Sequence, residues 1–329
     1  MSTILVTGGA GYIGCHVARQ LGARGERLVT LDDLSSGFKS AVLHGELVIG
    51  STGDETLVAR VLAEHGVDTV MHFAAHMVVP ESVANPLKYY RNNTANTRTL
   101  LECCITAGVR NFVFSSTAAV YGIPAGGIAS EDTPTVPINP YGWSKLMSEW
   151  MLRDVAAVTP LRYVALRYFN VAGADPGGRI GQSTPEATHL IKVACQHVVG
   201  RRDQVSIFGT DYDTPDGTCV RDYIHVEDLA AAHLQALEYL RAGGASTTLN
   251  CGYGQGSSVR EVLDEVARAS GKKLKISESR RRAGDPPSLV AKADRIREEL
   301  SWVPRHRDLA GIVSAALAWE QRLLRQPMT

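Results

Sequence analysis

The sequence predicts an α/β chain in which a doubly wound parallel sheet is followed by a smaller C-terminal α/β unit. Three observations point there. Through the first half, short β-branched runs alternate with longer amphipathic segments, the order of right-handed βαβ units. The short runs are apolar almost throughout, as parallel strands covered on both faces are. A cluster of glycines joins the first run to the first amphipathic segment.

The elements follow in order. Residues 3–7, 27–32, 68–74, 111–116 and 162–168 read as strands, and residues 13–25, 55–66, 92–108 and 141–157 as the helices between them. After Asn170 the texture changes. Residues 173–185 are rich in Gly, Pro and polar side chains and read as a long loop. A helix at 188–200 and a short strand at 205–208 come next. Asp211, Asp213, Pro215, Asp216 and Gly217 are turn chemistry. Helices at 226–242, 259–270 and 308–324 complete the chain.

Lys+Arg and Asp+Glu both count 34, so the formal net charge is zero. That argues against a general polyanion binder, and no nucleic-acid partner is expected. No apolar run reaches the roughly 18–20 residues that cross a bilayer. The N-terminus passes directly into an apolar strand without the marks of a signal peptide. The six cysteines include no CxxC pair. These features predict a cytoplasmic protein with reduced thiols and no membrane partner.

The first strand runs into Gly8-Gly9-Ala10-Gly11-Tyr12-Ile13-Gly14. Gly9, Gly11 and Gly14 fit G-x-G-x-x-G; Gly8, Gly11 and Gly14 fit G-x-x-G-x-x-G. Such glycines permit a tight turn, close approach to a pyrophosphate and close helix–strand packing. The helix start then offers free N–H groups and a positive dipole end. An ordinary Gly-rich turn is the alternative, and Asp32 decides against it. It ends the second strand, 18 residues after Gly14, where a carboxylate accepts adenosine ribose hydroxyls and repels a 2′-phosphate. The cofactor expected is NAD. Residues 1–170 are therefore expected to form a Rossmann-type NAD-binding domain and 171–329 a substrate domain, with residues near 220–243 returning to pack on the first.

Tyr141-Gly142-Trp143-Ser144-Lys145 opens a helix after Pro137 and Pro140, with Tyr141 and Lys145 on one face. A free tyrosine, of pKa about 10, is a poor base near neutrality; an ammonium and a positive nicotinamide ring would lower it. Tyr141 could then take a proton from a substrate hydroxyl while the adjoining carbon gives up hydride. By itself the spacing is common on solvated helix faces. It gains weight from the glycine loop and from Ser115-Ser116-Thr117, which ends a buried strand where ligands of doubly wound sheets sit.

These residues together resemble the extended short-chain dehydrogenase/reductase family, and within it the UDP-galactose (UDP-glucose) 4-epimerase branch. Further motifs carry the resemblance: His72-Phe73-Ala74-Ala75, Glu81-Ser82-Val83, Val120-Tyr121-Gly122, Leu166-Arg167-Tyr168-Phe169-Asn170, Gly200-Arg201-Arg202, Val220-Arg221-Asp222-Tyr223-Ile224-His225-Val226, and Arg281-Arg282 with Gly284-Asp285. The resemblance implies reversible oxidation at C4 of a UDP-hexose, through a 4-keto sugar. It assigns Tyr141 to the sugar 4-hydroxyl, Thr117 to a hydrogen bond with that hydroxyl, and Lys145 to the cofactor ribose. Gly8, Gly11, Tyr12, Ile13, Gly14, Asp32, Asp33, Ser51, Phe73, Ala74, Ala75, Asn92, Tyr141, Lys145 and Phe169 are the cofactor positions it implies. Thr117, Asn170, Leu190, Phe208, Arg221, Arg282 and Asp285 are the UDP-sugar positions. A homodimer pairing the helices at 92–108 and 141–157 is also implied.

The chain departs from the family's pattern in places. Met77 stands where some members carry Lys, Ser51 where Asp is common, and Asn96 where a helix Gly is common. Leu289 replaces a bulky aromatic of some members, which implies a looser sugar pocket that admits N-acetylated sugars. A uronate or pentose substrate stays open at this stage. A 4,6-dehydratase needs an Asp/Glu pair after the threonine, and Ala118 and Ala119 stand there instead. A non-catalytic NAD-sensing protein is the rival outside enzymes. His72 and His76 lack the intervening Glu of H-E-x-x-H, so no metal is expected. No G-x-S-x-G is present. His225, the tryptophans and Cys103-Cys104 read as packing.

Overall fold

The structure is a computed structural model that describes residues 2–185, 187–282 and 284–329. Its centre is a seven-stranded sheet in the order Thr247–Cys251, Arg162–Tyr168, Asn111–Ser115, Val67–His72, Thr3–Thr7, Arg27–Asp32, Glu46–Ile49. Every pairing in it is parallel. Adjacent residues of each strand point to opposite faces. Ile4 and Val6 join one apolar core while Leu5 joins the other; Val113 and Phe112 divide in the same way. Both faces are filled, which is why these strands read as nearly continuous apolar runs.

The helices Tyr12–Ala23, Glu55–His65 and Pro140–Val158 lie close to their expected positions. Two strands stop short of the expected ends. The strand expected to reach residue 74 ends at His72, so Phe73-Ala74-Ala75 leave the sheet as a loop, and the next ends at Ser115 instead of 116. The helix expected at 92–108 has an irregular start. Pro86–Tyr89 is helical, Tyr90–Ala95 is a π-helical turn, and Asn96–Ala107 is α-helical. The wide turn accompanies an anchored side chain: Asn93 accepts from the His76 N–H at 2.8 Å and donates to the Ser144 hydroxyl at 3.0 Å.

The division expected at residue 170 is crossed by the chain. Helix Val226–Arg241 packs on helix Tyr12–Ala23, and strand Thr247–Cys251 is an edge of the main sheet beside Arg162–Tyr168. The seam between the two helices is polar: His16, Arg19 and Gln20 all bond the Glu227 carboxylate. Residues 226–251 thus belong with the first unit.

The remaining strands are short. Val220–His225 pairs with Asn170–Ala172, Gly256–Ser258 and Ser288–Ala291, the last of which also meets Ile128–Ala129; Val205–Phe208 pairs with Ile276–Ser279. Together with helices Leu190–Val198, Val259–Ser270 and Leu309–Arg325, they form the smaller unit. Trp302 and Trp319 are packed inside, whereas Trp150, also expected to pack, is 41% exposed. All six cysteines are free and buried.

The glycine loop shows how tightly the first helix meets the sheet. A Cβ at Gly14 would lie 2.3 Å from the Gly8 carbonyl oxygen and 2.9 Å from the Gly9 Cα, both rigid backbone. Gly14→Ala is therefore expected to destabilise the fold by about 1–3 kcal/mol. Urea denaturation checks it, and an unchanged midpoint would contradict the close packing.

Candidate active site

Two adjoining cavities open beyond the carboxyl ends of the central strands. The larger, about 590 Å³, lies between the main sheet and the smaller unit. The smaller, about 80 Å³, runs over the glycine loop. Tyr12, Ile13, Met77 and Tyr168 line both and mark where they meet.

Most of the sequence-predicted residues fall on one cavity or the other; Tyr12 and Ile13 line both, and Phe169, expected at the cofactor, lines the larger one instead. Gly8, Gly11, Tyr12, Ile13, Gly14, Asp32, Asp33, Ser51, Phe73, Ala74, Ala75 and Asn92 line the smaller cavity. Thr117, Tyr141, Phe169, Asn170, Leu190, Phe208, Arg221, Arg282 and Asp285 line the larger. Lys145 lines neither: it is buried, and its ammonium donates to the Ser115 carbonyl at 2.8 Å.

The smaller cavity fits a dinucleotide on its own chemistry. Helix Tyr12–Ala23 begins at Gly11 with no side-chain cap. Helices Glu55–His65, Pro140–Val158 and Val259–Ser270 are capped by Asp54, Asn139 and Ser258. The uncapped start leaves N–H groups for an anion. Gly8 has φ +70°, and a Cβ there would lie 2.5 Å from the Ala74 nitrogen, so a side chain would close the crevice. Asp32 accepts from the Ala10 N–H at 2.9 Å and the Leu34 N–H at 2.8 Å, one on each oxygen. Each oxygen keeps a lone pair for a hydroxyl. Burial pushes this carboxyl's pKa up, and those N–H groups work against it. Two departures from the family's pattern meet here, as Asn96 donates to the Ser51 hydroxyl at 3.4 Å.

Tyr141 lies in the first turn of helix Pro140–Val158, whose N-cap Asn139 accepts from the Gly142 N–H at 2.9 Å. Burial raises the Tyr141 phenol pKa, and the Thr117 hydroxyl pulls it back. Thr117 follows strand Asn111–Ser115 and accepts from the Ala119 N–H at 3.1 Å. Burial also lowers the Lys145 ammonium to about 7, with Glu149 opposing that shift. The Phe114 ring lies 4.7 Å from the Lys145 nitrogen and favours its charge.

Among the described residues, neither Arg221 nor Arg282 has a carboxylate within 4.0 Å. Arg282 stacks on Phe208 at 4.0 Å, and Arg221 bonds the Val220 carbonyl. By contrast Arg281 pairs with Asp211. Two unpaired guanidinium groups in one cavity wall can bind a diphosphate.

Tyr168 belongs to the site although no spacing singles it out. It ends a core strand, faces both cavities, and shares a 2.6 Å hydrogen bond with the Ser115 hydroxyl. Its strand-end position was the available signal. His72 is bonded by Thr7 at 2.6 Å and Thr97 at 2.8 Å, and burial lowers it to about 3, so it stays neutral. His225 stacks on His306 at 4.5 Å. Among the described residues no three His, Cys, Asp or Glu converge to hold a metal.

The sequence profile of the NAD dependent epimerase/dehydratase family matches residues 4–252. A UDP-glucose 4-epimerase of Azospirillum brasilense is 61% identical over 321 residues, covering 97% of this chain and 92% of its own. The crystal structure of UDP-glucose 4-epimerase from Brucella ovis in complex with NAD superposes with a TM-score of 0.94 at 43% identity, over 97% of this chain and 99% of that one. The UDP-Glc/GlcNAc 4-epimerase of Campylobacter jejuni superposes with a TM-score of 0.85 at 46% identity, over 98% of this chain and 100% of that one.

The depressed Lys145 pKa makes a stability prediction. Its unfolded value is about 10.4, so between that pH and about 7 the unfolded chain binds more protons. The cofactor-free fold therefore loses stability as pH falls through that window, and the loss is complete below it. Lys145→Met removes the penalty. Cofactor-free variant is expected to melt about 3 °C or more above wild type at pH 6, with the gap closing toward pH 10. A variant that melts no higher at pH 6 would contradict this.

Proposed function

This chain belongs to the NAD dependent epimerase/dehydratase family, and we propose that it catalyses reversible 4-epimerisation of UDP-glucose and UDP-galactose through a 4-keto sugar. One observation carries the reading: Thr117 and Tyr141 share the wall of a cavity with Arg221 and Arg282. Its 590 Å³ is a normal size for a small-molecule site.

The residues that would hold NAD are the uncapped N–H groups at Tyr12 and Ile13 for the pyrophosphate, Asp32 for the adenosine ribose, and Lys145 for the ribose near the reacting carbon. Bound there, NAD would supply a reversible hydride acceptor and a positive charge that favours the phenolate. Tyr141 takes the proton from the 4-hydroxyl as C4 is oxidised, with Thr117 holding that oxygen in place. The keto sugar turns within the cavity while Arg221 and Arg282 retain the diphosphate. Tyr141 then returns the proton to the 4-oxygen as C4 regains its hydride on the opposite face. Ala118 and Ala119 line the wall beside Thr117. Neither can supply the acid or base that elimination of water requires, which favours epimerisation over dehydration.

Leu289 supports a wider substrate range. It lines the larger cavity and is buried, and an aliphatic side chain leaves room beside the sugar. The Campylobacter jejuni protein, 46% identical, is a UDP-Glc/GlcNAc 4-epimerase. We therefore include the UDP-N-acetylhexosamines among the substrates. A cytoplasmic setting fits the six buried free thiols.

A substrate panel followed by NMR of the sugar configuration tests both readings. UDP-galactose and UDP-N-acetylgalactosamine are expected to turn over at comparable rates; strict rejection of the latter would remove the wider range. Tyr141→Phe is expected to lower kcat about 10²–10⁴-fold with little change in KM. Wild-type turnover by that variant would overturn the proton shuttle, and NAD binding without turnover of any nucleotide sugar would favour a sensor.

The partner is proposed to be a second copy of the chain. Ile105, on helix Asn96–Ala107, is 40% exposed, and Trp150, on helix Pro140–Val158, is 41% exposed. Large apolar groups exposed on the helices of an expected interface support their burial in a dimer. Light scattering is expected to give twice the 35.4 kDa chain mass, and Trp150→Asp to shift it toward the monomer. A monomeric wild type would overturn the pairing.

A further inference from the structure

Two residues of the sequence motifs have no part in the chemistry above: Tyr121 and Arg167. The fold brings them together beneath the site. Arg167 is buried in strand Arg162–Tyr168 and donates to the Glu149 carboxylate at 3.0 Å through Nε and 2.6 Å through Nη2. Its Nη1 donates to the Tyr121 hydroxyl at 3.0 Å. Tyr121 in turn donates to the Asn250 Oδ1 at 2.6 Å, and the Asn250 amide donates to the carbonyls of Ala129 and Lys292. At the near end, the Ser116 hydroxyl donates to Glu149. Every side chain in this chain of bonds is at most 8% exposed.

A buried ion pair is a poor device for stability alone, because the cost of desolvating two charges offsets most of their attraction. This pair has a specific location. Glu149 follows Lys145 by one helical turn on Pro140–Val158. Lys145 donates to the Ser115 carbonyl and Glu149 accepts from the Ser116 hydroxyl. The helix that carries Tyr141 thus holds two consecutive residues at the strand end, and Thr117 is the next residue. Arg167 fixes Glu149 from behind, in a bidentate geometry that sets its orientation as well as its charge.

We infer that Glu149, with Arg167 behind it, is a positioning residue: it clamps the Ser115–Thr117 strand end to the helix bearing Tyr141 and Lys145. The inference rests on the epimerase reading of the site. The clamp has an electrostatic side. Lys145 lies near His72 and Glu149; His72 stays neutral, and Glu149 is the carboxylate that favours the charged ammonium against burial.

The test compares Glu149→Gln, Ser116→Ala and Tyr121→Phe with the NAD-loaded wild type. Readouts are kcat, KM and the alkaline limb of the kcat–pH profile, together with hydrogen exchange of the 115–119 amides. Glu149→Gln is expected to lower kcat about 10–100-fold at nearly constant KM. Its alkaline limb should move to lower pH by about one unit, because Lys145 loses the carboxylate that supports its charge. Ser116→Ala keeps that charge, so its limb should stay in place while kcat falls about threefold to tenfold and exchange at 115–119 rises. If Glu149→Gln does not fold, Ser116→Ala and Tyr121→Phe decide: lowered kcat with an unchanged melting temperature in either supports the clamp, and wild-type kcat in both overturns it. A folded Glu149→Gln with wild-type kcat and alkaline limb overturns it too, as does a loss confined to KM. A wild type that epimerises no UDP-sugar removes the underlying reading, a failure separable from all of these.

Discussion

The site depends on how closely two loops approach where the chain changes direction across its sheet. From the central strand Thr3–Thr7 the chain adds Arg27–Asp32 and Glu46–Ile49 on one side, then crosses to place Val67–His72 on the other. The crevice at such a reversal lies beyond the carboxyl ends of both neighbours. Here it is bounded by Gly8 and by Ala74, whose nitrogen would lie 2.5 Å from a Cβ on Gly8. His72 adds rigidity between them, bonded to Thr7 on the adjacent strand and Thr97 on a flanking helix. Tyr12 carries the constraint into the second half of the chain by donating to the Gly173 carbonyl at 2.7 Å. One tight contact between backbones therefore sets where both cavities open.

That constraint also explains what could be read from the sequence. The inner strands are visible because both faces are buried and their residues are mostly apolar: Ile4, Leu5 and Val6 serve two cores at once. The glycines are visible because no other residue fits. Thr247–Cys251 is hidden because an edge strand tolerates Thr and Asn, and Asn250 is spent on side-chain bonds to Ala129 and Lys292. Val220–His225 is hidden because it carries Arg221 toward the cavity and Asp222 toward three backbone N–H groups, of Tyr253, Gly254 and Ala291. Of the site, local spacing reveals Gly8 to Gly14, Asp32, Thr117 and Tyr141. It does not reveal that Lys145 bonds the Ser115 carbonyl or that Tyr168 bonds the Ser115 hydroxyl. Those contacts join residues 30 and 53 positions apart, and tertiary pairing leaves no periodic trace.

The arginines separate by their partners. Arg19, Arg167 and Arg281 are neutralised by Glu227, Glu149 and Asp211, and each holds two pieces of chain together. Arg221 and Arg282 have no such partner among the described residues and face the larger cavity. Neither is fully buried, so each keeps some hydration and needs no internal counter-ion. The chain is neutral as a whole, and its local positive charge is kept where a diphosphate can take it.

The same logic applies to the proton-handling pair. Burial alone moves Tyr141 up and Lys145 down, so each group favours its neutral form. A phenolate beside an ammonium is thus disfavoured in the ligand-free pocket, although it is the state that can take a proton from a hydroxyl. The structure supplies two counterweights from its own residues: Thr117 lowers the phenol and Glu149 raises the ammonium. Both counterweights hang on the same strand end, Thr117 as part of the segment that follows it and Glu149 through Ser116. Positioning and proton affinity are therefore one problem here: a strand end that drifts from the helix weakens both counterweights together.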